Sequence, residues 1–142
     1  MGSITVTGAD VCYLDAPNHP PLNLVAGAAL TVGYAVYLDS SGYAQHADAD
    51  LSAVGARVVG IVVASKDGST TVASGDRCSV AVWGRVTGFS GMTPGAPVYI
   101  SKTVGRLDQT APTSGAYPNA IGRAVSATTI FVNWNATDAT SV

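Results

Sequence analysis

No glutamate occurs anywhere in this chain, and lysine occurs only at Lys66 and Lys102. Glu and Lys are the residues with which proteins cover the solvent face of a helix while keeping high helix propensity. Without them there is little from which to build a helical bundle or a coiled coil. Sixteen Gly and seven Pro among 142 residues cut the remaining sequence into short pieces. The class that survives is all-β with many turns. A chain of this length forms one domain and buries a core without needing metals or disulfides.

The same charge deficit removes several functions. Seven basic residues stand against nine acids, all of them Asp, for a net charge of −2 with no Lys/Arg cluster. Nothing neutralises a row of phosphates, so no nucleic-acid partner is expected. The longest apolar runs fall well short of the roughly 20 residues of a spanning helix. An aromatic content of 7% does not supply the girdles of a membrane barrel, so no membrane partner is expected either. Met1 to Thr5 has neither a basic nor an apolar leader pattern, which predicts synthesis in a host cytoplasm. Cys12 and Cys78 form one pair at most; two small buried hydrophobes are expected, and a single disulfide stays open.

Residues 1–28 read as an N-terminal arm and Pro-rich loop. Ser3 to Thr7 and Asp10 to Leu14 are β-prone, and Pro17, Pro20 and Pro21 then remove backbone donors and favour an extended path. Residues 29–135 read as a single β domain, and 136–142 as a small polar tail that frays. Within the domain, Leu30 to Leu38 runs into the turn Asp39-Ser40-Ser41-Gly42 and returns through Tyr43 to Gln45, a hairpin. His46 to Arg57 is the one stretch with helical content, limited by Gly55 to a turn or two. Arg57 to Ala64 is too uniformly apolar for a half-exposed strand. It is buried on both faces or covered by a neighbouring chain. Cys78 to Val86 alternates as one strand, with Cys78, Val80, Val82 and Val86 on one face. Trp83 then points the other way, into a second layer or an interface.

One passage occurs twice. Leu30-Thr31-Val32-Gly33-Tyr34-Ala35-Val36-Tyr37-Leu38 matches Met92-Thr93-Pro94-Gly95-Ala96-Pro97-Val98-Tyr99-Ile100 at an offset of 62 residues, with Thr, Gly, Val and Tyr identical in place. Val59-Gly60-Ile61 and Ile121-Gly122-Arg123 keep that offset. A period held across two landmarks predicts an internal duplication, each unit giving a hairpin and a Gly-containing strand to one barrel or sandwich.

Catalytic patterns are sparse. His46, Asp48 and Asp50 would share one face of a strand, and imidazole with carboxylates binds divalent ions. The spacing fits no EF-hand or zinc motif, and a solvated loop between two strands, where Asp favours turns, is the expected reading. No nucleophile elbow accompanies His19 or His46, so the chain is expected to be no enzyme and to carry no cofactor.

The order of landmarks, Ala28-Ala29-Leu30-Thr31-Val32-Gly33, Val36-Tyr37-Leu38, Val59-Gly60-Ile61-Val62, Met92 to Ile100 and Ile121-Gly122-Arg123-Ala124, resembles the small capsid decoration, or cement, proteins of tailed bacteriophages. The likeness covers Ala28 to Trp134. It implies a compact β-barrel or sandwich with an N-terminal arm, often a homotrimer, that sits on the outer capsid of the virion and clamps neighbouring major capsid subunits after expansion. No residue-level motif transfers with it. The candidate interface residues, Pro20, Pro21, Leu22, Val59, Ile61, Val63, Trp83 and Trp134, come from the apolar strand, the Pro-rich arm and the outward aromatics. The competing reading is a tail-fibre or adhesin-type domain that stacks Trp83, Trp134 or Tyr rings on carbohydrate.

Overall fold

Glycine sets where the strands stop. Gly42, Gly68, Gly75, Gly95 and Gly105 hold φ between 75° and 87°, a left-handed conformation that closes turns at little cost only without a Cβ. The computed structural model describes residues 4–52 and 54–133. Its strands are β1 (Thr5–Val6), β2 (Cys12–Tyr13), β3 (Leu22–Val25), β4 (Leu30–Thr31), β5 (Ala35–Leu38), β6 (Ala44–His46), β7 (Val58–Ser65), β8 (Thr71–Val72), β9 (Arg77–Ala81), β10 (Trp83–Thr87), β11 (Phe89–Ser90), β12 (Pro97–Ile100), β13 (Leu107–Asp108), β14 (Ala120–Ala124) and β15 (Thr129–Asn133). The fold is all-β, as the absence of Glu and scarcity of Lys lead one to expect.

Two antiparallel sheets make the body. One has the order β3-β9-β7-β5-β6, the other β13-β12-β14-β15-β10-β2. Both have open edges, so the architecture is a sandwich and not a closed barrel. Between them lies the main core, with Ala35, Val58, Ile61 and Ala81 from the first sheet against Val86, Val98, Ile100, Ile121, Ile130 and Val132 from the second. On the far side of the five-stranded sheet, Val36, Val59, Val62, Cys78 and Val80 form a second core with Leu30, Val32 and Val72. A short β4–β8 ribbon supplies part of that cover. The apolar stretch Val58 to Val62 of β7 is therefore buried on both faces by its own chain.

The 62-residue offset reappears in the pairing. Val36 opposes Gly60 and Tyr37 opposes Val58, with a bulge between the two pairs. Val98 opposes Gly122 and Tyr99 opposes Ala120, with a bulge at the same step. Gly60 and Gly122 share a steric reason. A Cβ on Gly60 would fall on the Ala81 carbonyl oxygen, and one on Gly122 on the Phe131 carbonyl oxygen, in each case the neighbouring strand's backbone.

Several expectations change. The Leu30 to Leu38 run breaks at Gly33, φ 94°, which separates β4 from β5. The Cys78 to Val86 run breaks at Val82, and β9 and β10 enter different sheets. An apolar run long enough for one strand thus feeds two layers, and Cys78 and Val80 face one core while Val86 faces the other. His46 to Arg57 contains the turn bonds Ala56 N–H to Ser52 O at 3.0 Å and Arg57 N–H to Val54 O at 3.1 Å, and no helix among its described residues. Residues 4–28 do not stand off as an arm: β1, β2 and β3 pair with β11, β10 and β9. Cys78 is buried, but Cys12 is exposed on edge strand β2, and both are free thiols.

Candidate interaction surfaces

The repeat identifies the face of interest. Across the five-stranded sheet, Ala35, Ile61 and Ala81 form one row, each fully buried against the second sheet. At positions 62 later, Pro97 and Arg123 begin the corresponding row of the six-stranded sheet, which continues through Phe131 to Arg85. This row faces outward. Arg85 and Arg123 are exposed, and Pro97 and Phe131 are half-buried. The row opens into a groove of about 570 Å³ lined by Pro97, Arg123, Val125, Phe131 and Asn133. Val125 is 50% exposed at its rim.

Beside the groove stands an aromatic chain. Trp83, 41% exposed, meets Phe131 edge-on with centroids 4.8 Å apart, and His19 tilts over Trp83 at 4.1 Å. The Pro-rich loop is held there by specific bonds. The Tyr13 hydroxyl reaches the carbonyl oxygens of His19 and Trp83. Asp15 accepts from the Arg85 backbone N–H at 2.7 Å and from its guanidinium at 2.9 and 3.2 Å. The Arg85 side chain holds the Asp15 carboxyl below its usual range, with the backbone N–H adding to the effect. Arg123, by contrast, has no carboxylate partner among the described residues; its Nη1 donates to Gly95 O at 2.9 Å.

A second exposed apolar surface went unnoticed in the sequence. Leu51 is 62% exposed, Val54 44% and Val104 49%. Their two loops are tied together by Ala49 N–H to Ser101 O at 3.0 Å and Gly105 N–H to Ala47 O at 2.7 Å. The loops lie about 50 residues apart and share no pattern or period, so neither signals the cluster. Asp50, exposed, sits at its margin.

The candidates chosen from sequence divide accordingly. Val59 and Ile61 are core residues, removed from any surface because sheets or ribbon cover β7 on both sides, and Val63 is half-buried against the main core. Pro20 is exposed, while Pro21 and Leu22 are half-buried where β3 joins β9. Trp83 is the outward aromatic the alternation predicts, although β10 starts with it. Trp134 lies outside the described residues. For stacking on sugar, Trp83 offers a ring already shared by His19 and Phe131.

His46, Asp48 and Asp50 do not gather as ligands. The His46 Nε2 accepts the Thr31 N–H at 3.1 Å, and its ring lies 5.1 Å from that of Tyr34. Asp48 is buried and accepts the Asp50 N–H at 3.2 Å. Burial holds the Asp48 carboxyl above its usual range. Among the described residues no group of three or more His, Cys, Asp or Glu is placed to hold a metal ion.

No curated protein and no solved structure is significantly similar to this chain. A family model does match, that of the phage structural cement protein represented by E217 gp24 and Pam3 gp6, over residues 10–140. With that match running through nearly every strand described above, the chain belongs to the phage structural cement protein family and is a structural component of the virion capsid.

Proposed function

We propose that this protein binds the outer surface of a phage capsid as a homotrimer and stabilises the expanded shell by bridging major capsid subunits. Its membership of the cement family is the observation that carries this reading. A bridging protein also needs at least two separate contact surfaces, because one surface can only occupy a site and cannot link two. The chain has candidates for both. The corner formed by Trp83, His19 and Pro20 is an exposed aromatic anchor on a loop fixed by Asp15 and Arg85, the kind of element that dominates interface energetics. The loops bearing Leu51, Val54 and Val104 carry a second exposed apolar surface that shares no residue with it. Low charge favours the same role, since few ions must be desolvated when such a surface is covered. The matching registers of the two sheets support descent from one duplicated unit.

The test is reconstitution on expanded capsids lacking cement protein. Saturable binding, a higher capsid melting temperature and a trimer by light scattering are expected. Trp83→Ala is expected to weaken binding by about tenfold or more while leaving the folded state intact. A protein that is strictly monomeric and leaves capsid melting unchanged would overturn the reading.

A further inference from the structure

We propose that the groove on the outer face of the six-stranded sheet receives the loop bearing Asp50, Leu51 and Val54 of a second copy of this chain. The inference rests on the self-association in the preceding reading and gives it a contact. Three observations favour this occupant. First, the row Pro97–Arg123–Phe131 corresponds through the 62-residue offset to Ala35–Ile61–Ala81, which is wholly buried by another sheet. The first row is covered within the chain; its counterpart has no sheet over it, and half-buried Pro97 and Phe131 line the groove with exposed Val125. Second, Leu51 is the most exposed of the large hydrophobic residues described, at 62%, and it stands on a loop outside the groove lining as a knob without a socket. Third, the charges complement each other. Arg123 lacks a carboxylate among the described residues, and Asp50 is an exposed carboxylate one residue from the knob.

Knob and groove are different patches, so the contact is heterologous, and such contacts close into rings when the rotation allows. Leu51 entering between Phe131 and Val125 would bury apolar area on both sides, and Asp50 would meet the guanidinium of Arg123 at the rim.

Sedimentation velocity on the full chain tests this, with capsid binding and thermal unfolding measured on the same samples. Leu51→Ala, Arg123→Asp and Asp50→Arg are each expected to weaken self-association by about tenfold or more with an unchanged melting temperature. The charge-swapped double variant, Arg123→Asp with Asp50→Arg, is expected to regain most of the loss. A monomeric wild type, single variants that associate like wild type, or a double variant no better than the singles would each overturn the proposal. Variants that lose capsid binding but still self-associate would also overturn it, assigning the groove to the shell and leaving the cement role standing. Loss of self-association with capsid binding retained supports the contact while refuting the need for a trimer on the shell.

Discussion

Gly60→Ala puts one methyl group against the backbone of β9. Its Cβ would fall on the Ala81 carbonyl oxygen and lie 2.8 Å from Val80 Cγ1 and 3.0 Å from the Ala81 carbonyl carbon. Unstrained contacts of a Cβ sit at about 3.5–4.0 Å, so relief of the clash with the Ala81 carbonyl requires the strands to part by roughly 1 Å or more. They cannot do so freely, since Ile61, Val62 and Val80 of the same two strands are fully buried in the two cores. Overpacking of this kind costs about 1–3 kcal/mol, against about 0.4–1 kcal/mol gained from restricting the unfolded chain. With both faces of β7 packed, the net loss belongs near the upper end, about 2 kcal/mol, or roughly 4–8 °C in melting temperature for a chain of this size. Guanidinium unfolding should show a lower midpoint with an unchanged slope. Gly122→Ala should behave alike, as its Cβ meets the Phe131 backbone in the same way. Gly42→Ala is the control: φ is 81° but nothing lies within 4 Å, so it carries only the left-handed penalty of about 1 kcal/mol. A Gly60→Ala variant as stable as wild type would refute the steric argument for both glycines.

Two further outcomes follow from single side chains. Burial holds the His46 imidazole below its ordinary pKa, and its Nε2 must be unprotonated to accept the Thr31 N–H. The unfolded chain then binds the proton more readily than the folded one, so stability is full above about pH 6.5 and falls as the pH drops below it. His46→Gln should flatten that part of a stability-against-pH curve, and an unchanged slope would show that His46 is not its source. For the thiols, Cys12 is exposed and Cys78 is buried with its pKa raised by desolvation. Titration with a thiol reagent should find one fast-reacting group in the native protein and the second only in denaturant; two fast groups would contradict the burial of Cys78.

Composition and local pattern carried much of this fold. Without Glu, and with Lys only at positions 66 and 102, strands and turns were the remaining choice, and Gly42, Gly68 and Gly75 marked turns correctly because a positive φ is a local requirement. The 62-residue offset is visible along the chain because Val36 with Gly60 and Val98 with Gly122 are recurring residue types at fixed spacing, and their strand registers match. The uniform hydrophobicity of Arg57 to Ala64 showed that β7 had to be covered. Which partner covered it is a long-range matter, and only the stacking of sheet and ribbon showed that Val59 and Ile61 are core. The break at Val82 was invisible for a related reason, because alternation specifies that a residue faces a core but not which of two cores. Surface identity was the least legible. Phe131 comes beside Trp83 and Arg123 only through strand pairing, and the loops bearing Leu51 and Val104 come together only because segments distant in sequence are hydrogen-bonded. Local rules act over a few residues and can be read along the chain; burial is a property of everything that lands beside a residue, and tertiary structure alone decides it.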